Sequence, residues 1–253
     1  MLEIQNLQKS FGTMKVISDC TIEVSEGSLT GLIGPNGAGK TTLFNLITGI
    51  YKPDGGKVLF QGADITALKP NRIFHRGIFR TFQITREFQL MTVLENLMLI
   101  PPAQNGEHIW NTWLKPRNIH AQEKDIREKA LEVLEFVSLI HLKDEYAGTL
   151  SGGQKKLLEL AKTMMADSKL VLLDEPGAGV NKTLMKKITD NILKLRQERN
   201  MTFFLIEHDM DLIMHLCDPV IVMSAGTKLA EGHPDDIKKN EQVLEAYLGG
   251  QYV

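Results

Sequence analysis

The chain predicts an α/β fold on a mostly parallel sheet. Short apolar runs alternate with helix-periodic stretches, and a glycine-rich loop joins one such run to one such stretch. The runs are Leu29–Ile33, Leu170–Leu173, Phe203–Ile206 and Val220–Met223. Composition agrees: of 253 residues, 43% are hydrophobic and 24% charged, which argues against disorder and low-complexity repetition. The net charge of −2 gives no reason to expect a nucleic-acid partner. The first residues, Met1-Leu2-Glu3-Ile4-Gln5, do not resemble a secretory leader. No apolar run approaches the roughly 18–20 residues of a membrane helix. The expectation is a soluble, cytoplasmic chain whose membrane role comes only through a partner. The 2 cysteines, Cys20 and Cys217, read as small buried hydrophobes, and the 7 histidines show no metal-ligand spacing.

Taken in order, Leu2, Ile4 and Leu7, then Thr21–Val24, read as strands, with a turn at Ser25–Ser28. Leu29–Ile33 leads through the glycine-rich loop into a helix from Lys40 that stops near Gly49. Pro53-Asp54-Gly55-Gly56 is a turn before the strand-like Lys57–Phe60. Pro101–Arg117 is irregular and holds both tryptophans, Trp110 and Trp113. Ala121–Ile140 then puts Ile126, Ala130, Val133, Leu134 and Val137 on one helical face. A helix follows Ser151-Gly152-Gly153. Leu184, Ile188, Ile192 and Leu195 line another, and a further helix starts near Met210.

Three strand ends carry chemistry. Gly34-Pro35-Asn36-Gly37-Ala38-Gly39-Lys40-Thr41 fits G-x-x-x-x-G-K-[ST] between a strand and a helix. Glycines let backbone N–H groups wrap an anion, and the helix N-terminus adds free donors. Lys40 can reach β- and γ-phosphates, and the Thr41 hydroxyl can ligate Mg²⁺. Leu170–Leu173 ends in Asp174-Glu175-Pro176; Asp174 suits a Mg²⁺ shell and Glu175 suits polarising an attacking water. Phe203–Ile206 ends in Glu207-His208-Asp209, where the His208 imidazole can hydrogen-bond a γ-phosphate or that water. Ser151 with two glycines makes either a second anion-binding helix terminus or an ordinary helix cap.

Together these residues resemble the ABC ATPases. Gly34–Thr41 is similar to their Walker A loop. Leu150-Ser151-Gly152-Gly153-Gln154 is identical to their signature, and Leu170–Pro176 resembles Walker B with its glutamate. His208 matches the switch histidine, Gln83 in Arg80-Thr81-Phe82-Gln83 the Q-loop glutamine, and Phe11 the aromatic that stacks on adenine. The resemblance runs over nearly the whole chain, in the family's order. It departs at Asn181, where many members have aspartate, and at Phe11, where tyrosine is commoner. It implies a P-loop NTPase (RecA-like) core with an antiparallel β subdomain. An α-helical signature subdomain at about 84–165 is inserted in it, within a single nucleotide-binding domain, 1–253.

The resemblance implies ATP and Mg²⁺ as ligands. Nucleotide contacts would come from Phe11, Val16, Gly34, Asn36, Gly37, Ala38, Gly39, Lys40, Thr41, Thr42, Ser151, Gly152, Gly153 and Gln154. The metal would be held by Thr41, Gln83 and Asp174, with Glu175, His208, Lys40 and Gln83 in catalysis. Two such domains, identical or related, would sandwich two ATP molecules, with Ser151 and Gly153 reaching the partner's nucleotide. Transmembrane permease subunits, and through them a substrate-binding protein, are the implied partners. Arg86, Phe88, Leu90 and Met91 border the cleft that would receive a permease helix, or else pack locally.

Within the family, Arg80–Gln83, Met91–Leu97, Glu207–Met210, Ala230–Gly232 and the Trp-containing segment are similar to the importer ATPases for branched-chain and other neutral amino acids. Urea importers and lipopolysaccharide-export ATPases share parts of these motifs. A soluble ATPase of iron–sulfur cluster assembly is the alternative of another class. A binding module without catalysis is disfavoured by intact Lys40, Asp174, Glu175 and His208.

Overall fold

The computed structural model describes residues 1–81, 87–104, 106 and 116–248, without the side chains of 116, 117 and 248. The elements run β1 (Leu2–Phe11), β2 (Met14–Val24), β3 (Leu29–Ile33), α1 (Lys40–Ile47), β4 (Gly55–Phe60), β5 (Ala63–Asp64), α2 (Pro70–Phe74) and β6 (Ile78–Arg80). Then come α3 (Val93–Met98), α4 (Pro116–Phe136), α5 (Gly152–Met165), β7 (Leu170–Asp174), α6 (Lys182–Arg199) and β8 (Thr202–Ile206). The chain continues through α7 (Met210–Leu216), β9 (Val220–Ser224), β10 (Thr227–Gly232), α8 (Pro234–Lys239) and α9 (Glu241–Leu248). They fall into two compact units. One comprises Met1–Arg80, Lys169–Gly177 and Lys194–Val253; the other comprises Thr81–Ser168 and Ala178–Leu193.

The first unit holds a six-stranded sheet, β10-β9-β3-β8-β7-β6, and a four-stranded one, β2-β1-β4-β5. In the larger sheet β9, β3, β8, β7 and β6 are parallel neighbours, and β10 adds an antiparallel edge. β3, β7 and β8 are buried along their whole length, as parallel strands covered on both faces are. The smaller sheet is antiparallel throughout. One apolar core joins both sheets to α1 through Leu2, Leu7, Cys20, Leu43, Phe44, Phe60, Leu172 and Phe204.

The second unit is helical: α3 packs on α4 and α5, and α4 on α5. Ile126, Ala130, Val133, Leu134 and Val137 are all buried, so the periodic face marked the right stripe. The helix itself is displaced from the expected 121–140. It begins at Pro116 and ends at Phe136, because Ser138 adopts left-handed backbone (φ 60°) and Ile140–Leu142 forms a separate 3₁₀ turn. Among the described residues no helix is long and apolar enough to cross a membrane.

Candidate nucleotide-binding site

The loop between β3 and α1 is shaped by close approaches. Gly34 lies where a Cβ would stand 2.1 Å from the Met223 carbonyl oxygen of β9, at φ 150°. Any side chain there would push the loop off the sheet. Gly39, the N-cap of α1 at φ 97°, supplies no capping side chain, so the first amides of α1 face out of the helix end undischarged. Lys40 is buried and folds back over the loop, its Nζ donating to Gly34 O at 2.7 Å and Pro35 O at 3.1 Å. Burial holds its pKa below the usual lysine range, while the charges of Glu175 and Asp174 pull it back up.

A cleft of about 290 Å³ lies beside this loop, lined by Val16, Asn36, Gly37, Ala38, Gly39, Lys40, Thr41, Thr42, Glu175 and His208. Thus β3, β7 and β8 deliver their carboxyl-end residues to one place, as the parallel sheet requires. Glu175 follows β7 in left-handed backbone (φ 50°), its N–H donating to Ile206 O at 2.9 Å. Its Oε1 lies 2.8 Å from His208 Nε2. Asp174, the residue before it, is buried and paired to Arg80 at 2.7 Å. One hydroxyl, Thr41, and one carboxylate, Asp174, are hard oxygen donors of the kind Mg²⁺ takes, so the residues fit that ion.

Phe11 and Ser151–Gln154 are not among the residues lining that cleft. Phe11, 43% exposed, meets Tyr51 edge-on at 5.2 Å, with Lys9 Nζ 5.4 Å from its ring centre. Ser151, Gly152, Gly153 and Gln154 belong to the helical unit. There they build a capping box, with Ser151 N donating to Gln154 Oε1 at 2.8 Å and Gln154 N to Ser151 Oγ at 3.4 Å. A Cβ on Gly153 would fall 1.7 Å from a Leu184 methyl. Gln83 and Arg86, with Trp110 and Trp113, lie outside the described residues.

Three site residues escaped the sequence reading. Arg80 binds Asp174. Buried Glu207 accepts from Gly177 N at 2.5 Å and His208 N at 3.1 Å, tying the segment after Glu175 to the histidine. Tyr247 of α9 hydrogen-bonds the Gly34 backbone, and burial pushes its pKa up. The first two enter the sequence reading only as members of the Arg80–Gln83 and Glu207–Met210 motifs, with no role of their own, and Tyr247 carries no local signal.

The sequence pattern of the family described as "ABC transporter" matches residues 17–178. A second pattern, "Branched-chain amino acid ATP-binding cassette transporter", matches 227–253. The chain is 45% identical to the probable branched-chain amino acid transport ATP-binding protein LivG of Archaeoglobus fulgidus, over 99% of this chain and 96% of that one. It is 39% identical to the high-affinity branched-chain amino acid transport ATP-binding protein BraF of Pseudomonas aeruginosa, over 98% of each. Among solved structures, a nucleotide-free ATP-binding cassette of an ABC transporter superposes with a TM-score of 0.83 at 40% identity, covering 98% of both chains. An ADP-bound cassette does so with the same TM-score at 37% identity and the same coverage. A phosphate loop and an acidic strand end that share one cleft thus recur here on a chain whose relatives match it end to end. The chain belongs to the ABC transporter family, as one of the cassettes that bind and hydrolyse ATP to power transport.

Proposed function

We propose that the chain powers an importer of branched-chain amino acids. It would work on the cytoplasmic face of the membrane, docked on permease subunits that a substrate-binding protein supplies. The near full-length likeness to the Archaeoglobus and Pseudomonas transport proteins carries this reading. We read 1–253 as a single nucleotide-binding domain with a helical subdomain at about 84–165. A second cassette, a copy or a related chain, would close over the nucleotide through its own Ser151–Gln154.

The α1 amides and Lys40 bind the ATP phosphates, with Asn36, Gly37, Ala38, Gly39 and Thr42 along the loop and Gly34 at its root. Phe11 and Val16 border the adenine end. Thr41 and Asp174, with Gln83, would hold Mg²⁺, which supplies charge neutralisation at the transferred phosphoryl group. Glu175 orients water and takes up its proton, and His208, bonded to Glu175, steadies that carboxylate and the γ-phosphate.

A docking face is supported by Phe88 and Leu90, 57% and 90% exposed. Buried Asn96 holds their loop in shape, accepting from Phe88 N at 2.8 Å and donating to Phe88 O at 3.0 Å and Thr92 O at 2.9 Å. Apolar side chains on a rigid turn suit an incoming helix.

Tagged chain should co-purify from detergent-solubilised membranes with multi-span permeases and a second cassette, identified by mass spectrometry. Recovery of soluble partners alone, such as an iron–sulfur scaffold, would sink transport and leave the ATPase intact. Glu175→Gln should keep ATP binding, lose nearly all turnover and trap a dimer on a sizing column. Normal turnover in that variant removes Glu175 from catalysis.

A further inference from the structure

We propose that Arg80 is a positioning residue that clamps the Asp174 carboxylate to helix α1, and so fixes the gap between Asp174 and Thr41. The inference rests on the reading of those two residues as ligands of the nucleotide's divalent cation. Arg80 ends β6, and β6 runs parallel to β7 with Arg80 opposite Leu172. Its guanidinium therefore lies beside the end of β7. Nη2 donates to Asp174 Oδ2 at 2.7 Å and Nη1 donates to Asn45 Oδ1 at 2.6 Å. The guanidinium carbon sits 5.6 Å from the Phe44 ring centre. The two paired side chains are only 7% and 6% exposed.

Asn45 stands one turn after Thr41 on α1, so the two share a helix face. One planar fork thus joins the strand that presents the carboxylate to the helix that presents the hydroxyl. A buried carboxylate without a partner would be costly, and Arg80 offsets that cost while dictating where the carboxylate sits. The geometry of the fork matters as well as its charge, since a lysine at 80 offers a point charge on a flexible stem and cannot hold both acceptors in one plane. Partners that orient a ligand without touching the metal are typically worth about 10–100-fold in metal affinity.

The test uses the full chain with a non-hydrolysable ATP analogue. Mn²⁺ binding is titrated by electron paramagnetic resonance, and analogue binding is measured separately in excess chelator. Arg80→Lys should weaken Mn²⁺ about tenfold while changing metal-free analogue binding by less than about twofold. Asn45→Ala, which keeps the ion pair and removes only the second arm, should shift Mn²⁺ in the same direction by less. Unchanged Mn²⁺ affinity in both variants overturns the proposal, as does an equal loss of metal-free and metal-dependent binding. Asp174→Asn is the control for the underlying reading. If it too leaves Mn²⁺ affinity unchanged, Asp174 is no ligand, and the assignment of the metal site falls together with the role of Arg80.

Discussion

Glu207 serves two backbone amides with one buried carboxylate, that of Gly177, two residues beyond Glu175, and that of His208 itself. Glu207→Ala leaves Gly177 N–H and His208 N–H to find water in a half-closed space, a loss of about 1–3 kcal/mol. Because both amides hold the segments proposed to act in catalysis, kcat should fall about tenfold or more with ATP affinity nearly constant. Steady-state kinetics beside equilibrium ATP binding checks this, and an unaltered kcat would assign Glu207 to folding alone. At this scale the sequence was legible where function is local. The phosphate loop declares itself because its glycines, lysine and threonine lie within eight consecutive residues, Gly34–Thr41. Arg80 and Glu207 were not legible, because Asn45, Asp174 and Gly177 are far from them in sequence and reach them only in the folded chain. A charge near a strand end reads the same whether it faces a ligand, a carboxylate or a backbone amide.

Helices declared themselves through periodic burial and strands through apolar runs, as α4, β7 and β8 illustrate. β6 has three residues, too few to establish a period, and polar β10 survives as an edge strand through its pairing with β9. Ser151 is the residue whose two readings stayed open in the sequence: the capping box on α5 is formed, and the proposed anion-facing role does not require its loss. The two separate by substitution. Ser151→Ala should lower the unfolding free energy by about 1 kcal/mol. Ser151→Asp should cap α5 as well as serine does, yet set a negative charge against a phosphate and depress turnover. Full ATPase activity in stably folded Ser151→Asp would reduce Ser151 to a cap.

Strand order is a property of the whole molecule, and no local pattern announces it. The need for glycine at position 34 illustrates the point, since the carbonyl it avoids belongs to Met223, far along the chain. Cys20 also owes its state to the whole. Burial within the core raises its thiol pKa from 9.0 to about 11, and burial pushes that of Cys217 up as well. Below about pH 9 both folded and unfolded chains keep the Cys20 proton. Above it the unfolded chain ionises first, so stability is lost as pH climbs through 9 toward 11. Urea midpoints taken from pH 8 to 11 should decline, and Cys20→Ala should flatten the decline by about 1 kcal/mol at pH 10. An identical slope in the variant would place the alkaline sensitivity elsewhere.

The left-handed backbone of Glu175 sets two selections at odds. Glycine and asparagine tolerate that conformation with less strain than glutamate does. On the catalytic role proposed for Glu175, a population of variants ranked by heat resistance alone would drift at this position toward sequences that fold better and no longer split ATP. On that same role, selection for turnover and selection for stability pull position 175 in opposite directions.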